Sequence, residues 1–193
     1  MRPCLILASA SPRRRELLTA AGFSDLIVRP ARGEEIPPSG CSPAETVMAL
    51  ALQKAREVAG RSPEPDAVIL AADTAVVLDG DILGKPRDPA EAAAMLGRLS
   101  GRSHEVFTGV ALLQGARCLT RFARTEVFFR DLAPEEITAY VATGEPMDKA
   151  GAYGIQGRAG LFAERLEGDY CNVVGLPLYL TGQMLKELDV ELL

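Results

Sequence analysis

The chain has 193 residues, a length that supports one ordinary domain with a buried core and leaves little room for two. Apolar residues make up 48% and charged residues 24%, a globular balance that excludes disorder and low complexity. The formal charge of −5 excludes a surface that attracts nucleic acid or anionic lipid as a whole, so a phosphate-bearing ligand must meet a local cluster of Arg and Lys.

In chain order, the first element is an apolar run over residues 4–8, suited to a strand buried on both faces. It turns through Ser9-Ala-Ser11 into a helix opened by Ser11-Pro12. Ser42-Pro43, Asp88-Pro89 and Ala133-Pro134 repeat that signal, with Pro at the first helical position and three of the four behind a good N-cap. Glu45 and Glu91 complete capping-box patterns, and Gly22, Gly60, Gly101 and Gly144 mark helix stops. A second buried strand is predicted over 67–72, followed by a hairpin of 76–78 and 82–83 around Asp79-Gly80. Further strands are predicted over 105–113, 119–129, 159–166 and 170–174, and a last helix from near Pro177 to about Leu188. Residues 37–43 and 61–66 read as loops. Hairpins interrupt the alternation of helix and strand, so a mixed sheet in an α/β or α+β layer arrangement fits better than a pure doubly wound fold.

Cys4, Cys41, Cys118 and Cys171 show no Cys-x-x-Cys spacing, which predicts reduced thiols in an intracellular protein rather than a disulfide frame or zinc site. A single histidine, His104, excludes a His-based metal cage. No run reaches the ~18 apolar residues of a membrane span, and the first apolar run is too short for a signal peptide. A soluble single domain over 1–193 is the expectation.

Three constellations can carry chemistry. Leu7-Ala-Ser-Ala-Ser-Pro-Arg-Arg-Arg15 places small residues, hydroxyls of Ser9 and Ser11, and Arg13 at a helix N-terminus, a natural seat for phosphate. A cation there opposes the helix dipole unless an anion joins it; the plainer reading is a capped helix with a solvated basic face. Asp73-Thr74 ends an all-apolar run, where an acid at the carboxyl end of a strand can hold a metal or activate water. The plainer reading there is an Asx-turn into the hairpin. The third concerns lysine, since among 21 basic residues only Lys54, Lys85, Lys149 and Lys186 are not arginine. Lys54 shares a stripe with Val47, Ala51 and Val58, so it either snorkels outward or points into a cleft. Lys85 sits in Gly84-Lys-Pro86, and Lys149 in the glycine-dense segment 148–157, whose plainer reading is a tight turn. Glu34, Glu35, Asp148 and Asp169 are nearby acids. Neither a nucleophile elbow around Ser100 and His104, nor a P-loop, nor a dinucleotide fingerprint is present. These parts imply nucleotide or phosphate-ester chemistry with a hard cation such as Mg²⁺.

Six segments in order carry a family resemblance: Ala8-Ser-Ala-Ser-Pro-Arg-Arg-Arg-Glu-Leu-Leu18, Ala72-Asp-Thr74, Gly84-Lys-Pro86, Ser103-His-Glu-Val-Phe-Thr-Gly109, Asp148-Lys-Ala-Gly-Ala-Tyr-Gly-Ile-Gln-Gly157 and Val173-Val-Gly-Leu-Pro177. Together they resemble the Maf family of nucleoside triphosphate pyrophosphatases. The resemblance implies a cytoplasmic, metal-dependent hydrolase with an elongated mixed sheet, two lobes and a central cleft, related to the inosine triphosphatase fold. Asp73 would be the general base or a water-orienting acid and would share the metal with Glu34, where the family's Asp-Glu pair reads Gly33-Glu34. Ser9 and Arg13 would bind the triphosphate, Lys54 and Lys85 would neutralise its charge, and Thr74 and Gln156 would select the base. The metal would be Mg²⁺, with Mn²⁺ or Co²⁺ as alternatives, and family members are often homodimers.

Ala152-Tyr-Gly-Ile-Gln156 resembles the branch acting on dTTP and UTP, with a house-cleaning role against modified nucleotides; the branch acting on 7-methyl-GTP carries Ser-Phe-Lys-Ser-Glu there. A neutral Gln amide both donates and accepts, as the carbonyl–NH–carbonyl edge of uracil and thymine requires. The rival readings are the 7-methyl-GTP activity, a non-catalytic nucleotide-binding regulator of cell division, and a nucleic-acid binder through residues 13–15. The acidic balance and 5% aromatic content oppose the last of these, and the same acidity with no long apolar run predicts no membrane partner.

Overall fold

A computed structural model describes residues 4–62, 64 and 66–190, so residues 63 and 65 of the predicted 61–66 loop lie outside the described residues. The strands are β1 (Leu5–Leu7), β2 (Ile27–Val28), β3 (Val68–Leu78), β4 (Asp81–Leu83), β5 (Ser103–Gln114), β6 (Arg117–Phe129) and β7 (Ala163–Glu167). The helices are α1 (Pro12–Ala20), α2 (Pro43–Ala59), α3 (Pro89–Leu99), α4 (Pro134–Val141), α5 (Tyr170–Val174) and α6 (Leu178–Glu187). The strands form one mixed sheet in the order β2-β1-β3-β5-β6-β7, with β4 paired to β3. β1 lies parallel to both β2 and β3, whereas β3–β4 and β6–β7 are antiparallel. The α/β expectation therefore holds.

All four Pro-marked helices begin at their proline. The capping box of α2 is complete: Ser42 Oγ accepts from Glu45 N, and Glu45 Oε2 accepts from Ser42 N. That of α3 is half formed, because Asp88 accepts from Glu91 N while Glu91 turns to Arg87. Gly22, Gly101 and Gly144 follow their helices with positive φ, but Gly60 stays right-handed.

Three predicted elements differ. The 67–72 run and the 76–78 arm are one continuous strand, so Asp73 sits inside β3 and not at a strand end or in an Asx-turn. The polar pair Asp73-Thr74 interrupts the apolar pattern without breaking the extended backbone. The predicted strand 159–166 splits into a 3-10 turn (Arg158–Leu161) and β7. The predicted strand 170–174 is α5, whose first amides at Cys171 and Asn172 are accepted by Asp169 Oδ1. A local side-chain cap overrides the β-branched composition there.

The chain divides into two compact units. The first comprises the described residues of 1–73, 108–123 and 175–193, and the second comprises 74–107 and 124–174. Within the first, side chains alternate along the buried strands. Leu5, Leu7, Val68 and Leu70 pack with Leu18, Leu176, Met184 and Leu185, while Ile6, Ile69 and Ala71 pack with Ala51, Ala55 and Val58 of α2. Both faces are covered, which is why these strands read as continuous apolar runs. The core of the second unit gathers Val76, Leu96, Leu99, Val127, Phe129, Ile137, Tyr140, Tyr153 and Phe162.

Candidate active site

In the first unit, β1 delivers Ser9 into a buried turn before α1. Its Oγ accepts from Ser11 N at 3.2 Å and from Arg14 Nη1 at 3.1 Å. With both lone pairs taken, the hydroxyl proton is left to act as a donor. Ser11 occupies the N-cap of α1 in extended conformation but makes no side-chain cap, and the first turn holds no acid. An uncompensated helix N-terminus bearing Arg13 and Arg14 is a place for an anion.

Arg14 ties this turn to a distant part of the same unit: its Nε donates to the Gly175 carbonyl at 2.7 Å. Burial lowers the Arg14 pKa, Asp73 and Glu35 oppose that shift, and neighbouring Arg13 adds to it. Arg13 is half-buried beside it. Arg14 sits one place past the arginine singled out by sequence, and only the fold shows which of three successive arginines turns back to Ser9.

Lys54 does not snorkel outward. Its Nζ lies 2.6 Å from Asp73 Oδ1 and 3.0 Å from Glu35 Oε2, and its side chain is only 12% exposed against 14% for Asp73 and 53% for Glu35. The cause is close packing of α2 on β5. A Cβ on Gly109 would overlap the Val47 carbonyl, so only glycine lets the helix backbone approach there. Lys54 lies about two turns further along α2, on the face bearing Val47 and Ala51. The acid that meets Lys54 is Glu35; Glu34, the residue chosen from sequence, is exposed and gives its carbonyl to Gln53 Nε2 at 3.0 Å. Adjacent loop residues point in different directions, and sequence offers no signal to choose between them.

Among the described residues, no three His, Cys, Asp or Glu side chains gather as a metal cluster. Two carboxylates converging on one ammonium nevertheless make an all-oxygen pair of the kind Mg²⁺ uses with substrate phosphates.

In the second unit, Thr74 follows Asp73 along β3 and is half-buried. Lys85 is exposed in the loop after β4, and that loop is fastened to the glycine-rich segment by Gly151 N donating to the Gly84 carbonyl at 3.1 Å. Gln156 is exposed in the same segment. Lys149 is committed elsewhere, its Nζ donating to the Glu145 carbonyl at 2.7 Å and to Asp148. Ser100 and His104 form no nucleophile pair: Ser100 Oγ accepts from Leu132 N, and His104 Nε2 lies 2.7 Å from Tyr153 Oη. His104 is 2% exposed, and burial pushes its pKa down to about 4. Ser9, Arg13, Lys54 and Asp73 lie in the first unit, and Thr74, Lys85 and Gln156 lie in the second.

Among the described residues no helix is long and apolar enough to cross a membrane, and all four cysteines are free thiols. The chain resembles solved structures of Ham1 proteins from Staphylococcus aureus (TM-score 0.53, 13% identity, 95% of this chain and 98% of that one) and Coxiella burnetii (0.51, 17%, 96% and 99%), likenesses that speak to fold alone. Its curated relatives include dTTP/UTP pyrophosphatases of Symbiobacterium thermophilum (56% identity, 95% of this chain and 93% of that protein) and Moorella thermoacetica (54%, 97% and 96%). The Maf-like protein family model matches residues 4–188, and with that span and those identities the chain belongs to the Maf-like family.

Proposed function

We propose that this chain is a cytoplasmic nucleoside triphosphate pyrophosphatase that hydrolyses dTTP and UTP to the monophosphate and pyrophosphate. Relatives of that name at 51–56% identity, matched over nearly their full length, support the reaction and the substrate class. Free thiols at all four cysteines suit a reducing compartment. The observation that carries the reading is the Lys54–Asp73 contact with Glu35 beside it, in the unit that also holds the Ser9–Arg14 anion seat.

In this reaction Ser9 donates its hydroxyl proton to a phosphate oxygen, and Arg13 grips the triphosphate. Lys54 holds Asp73 in place through Oδ1, and with Lys85 it offsets charge that grows on the phosphates in the transition state. Asp73 takes a proton from water as the water oxygen bonds to the α-phosphorus. The α–β bridging P–O bond breaks, and its electron pair leaves with pyrophosphate. Thr74 and Gln156 read the base. A divalent ion, Mg²⁺ or alternatively Mn²⁺ or Co²⁺, would be held by Asp73 and an acid of the 34–35 loop, with Glu35 the better placed, and would supply Lewis-acid stabilisation of phosphate charge.

The test is pyrophosphate release from dTTP, UTP, CTP, GTP and 7-methyl-GTP with Mg²⁺, beside Asp73→Asn and an EDTA control. The expected result is preference for dTTP and UTP, loss of activity with EDTA, and a fall of roughly 10²–10⁴-fold in Asp73→Asn. Preference for 7-methyl-GTP would overturn the substrate, and no release from any nucleotide would favour a binding regulator.

A further inference from the structure

Gln156 sits in a tight turn closed by Gly157 N donating to the Gly154 carbonyl at 2.9 Å, with Ile155 and Gln156 at its centre. One side-chain pair holds both feet of this turn. Tyr140 Oη, on α4, accepts from Gly154 N at 3.3 Å and donates to Glu145 Oε1 at 3.0 Å. Glu145 Oε2 accepts from Arg158 N at 3.3 Å. The two attachments fall two residues before and two residues after Gln156.

The backbone rests directly on the carboxylate, since a Cβ on Gly157 would overlap it. Glu145 is itself anchored, with Thr143 Oγ1 accepting from its amide at 3.1 Å and Lys149 Nζ donating to its carbonyl at 2.7 Å. Tyr140 is buried, and its pKa is raised first by that burial and then by Glu145, so the phenol keeps the proton it donates.

We infer that Tyr140 and Glu145 are positioning residues that fix Gln156 for recognition of the pyrimidine base, an inference that rests on the pyrophosphatase reading above. Neither side chain touches substrate; each acts through the turn. An exposed Gln on a loosened turn would still meet the base, but in many orientations, and discrimination would fall before phosphate binding did.

The experiment measures pyrophosphate release from dTTP, UTP, CTP and GTP by wild type, Tyr140→Phe, Glu145→Ala and Glu145→Gln, with thermal melts to confirm folding. Tyr140→Phe and Glu145→Ala are expected to raise KM for dTTP and UTP about 10-fold, narrow the preference over CTP and GTP by a similar factor, and change kcat less. Glu145→Gln keeps an oxygen for Arg158 N and is expected to retain most of the preference. Should Glu145→Ala fail to fold, Tyr140→Phe alone decides the matter. Unchanged KM and preference in Tyr140→Phe, or an equal loss of kcat on every nucleotide, overturns the inference while leaving the reaction intact. Release from no nucleotide by wild type overturns the pyrophosphatase reading and the inference with it.

Discussion

In the first unit, Lys54 and Asp73 are drawn largely out of water with their charges facing each other at 2.6 Å, Glu35 adding a second acid and Arg14 a nearby second cation. In the second unit, His104 is enclosed edge-on by Phe129 and Tyr153, and its nearest polar partner is a phenol. There burial pushes His104 down to about 4 and raises Tyr153 and Tyr140 above their ordinary range, so all three are neutral at pH 7. Both units place ionisable side chains against strands. One meets the desolvation cost with opposite charge and keeps its ions available; the other meets it by neutrality and gains rigid packing. The enclosed Lys54–Asp73 pair therefore belongs to the first unit, and the neutral buried rings of His104 and Tyr153 belong to the second.

The strongest way to break this contrast is Lys54→Met, which leaves Asp73 and Glu35 without their shared ammonium. Pyrophosphate release is expected to fall about 100-fold or more, because an oriented and charge-balanced Asp73 is lost. Activity within a few-fold of wild type would mean that the ion pair is only structural.

His104 sharpens the other side. Its folded pKa of about 4 lies below the ordinary 6.5, so between those values the unfolded chain binds the proton and the folded chain does not. Its contribution is fully present above about pH 6.5 and is lost as pH falls toward 4, amounting to about 3 kcal/mol across that window. Urea melts from pH 7.5 to 4 should show this slope in wild type and lose most of it in His104→Gln. Equal slopes would mean that His104 is not held neutral.

The smallest expected effect tests how Lys54 reaches its partners. Gly109→Ala pushes α2 off β5 and should cost about 2 kcal/mol in denaturant melts, with a drop in activity as Lys54 shifts. A neutral outcome would show that the helix has room to move.

Much of this was legible in the residues themselves. Pro at N1 fixes φ and tolerates the lost amide, so four helix starts were marked where they occur. The apolar runs at 4–8 and 67–72 declared strands buried on both faces; Ser9, Asp73 and Lys54 stood out as polar residues beside apolar ones, and Arg13 as a cation at a helix N-terminus. By contrast, Tyr170–Val174 carries a strand-like composition, yet Asp169 caps it as a helix. Periodicity over five residues is too short to outweigh one well-placed hydrogen bond.

The sequence by itself determined where the backbone turns, which strands are buried, and which residue types are available for phosphate chemistry, because steric limits and hydrophobic periodicity act within a few residues. Only the tertiary structure decided that Asp73 lies inside a long strand, that Glu35 and not Glu34 meets Lys54, that Arg14 turns back to Ser9, and that Tyr140 and Glu145 clamp the turn of Gln156. Those choices depend on distances across the fold, and neighbouring residues of the same type differ in nothing but where the packed chain points them.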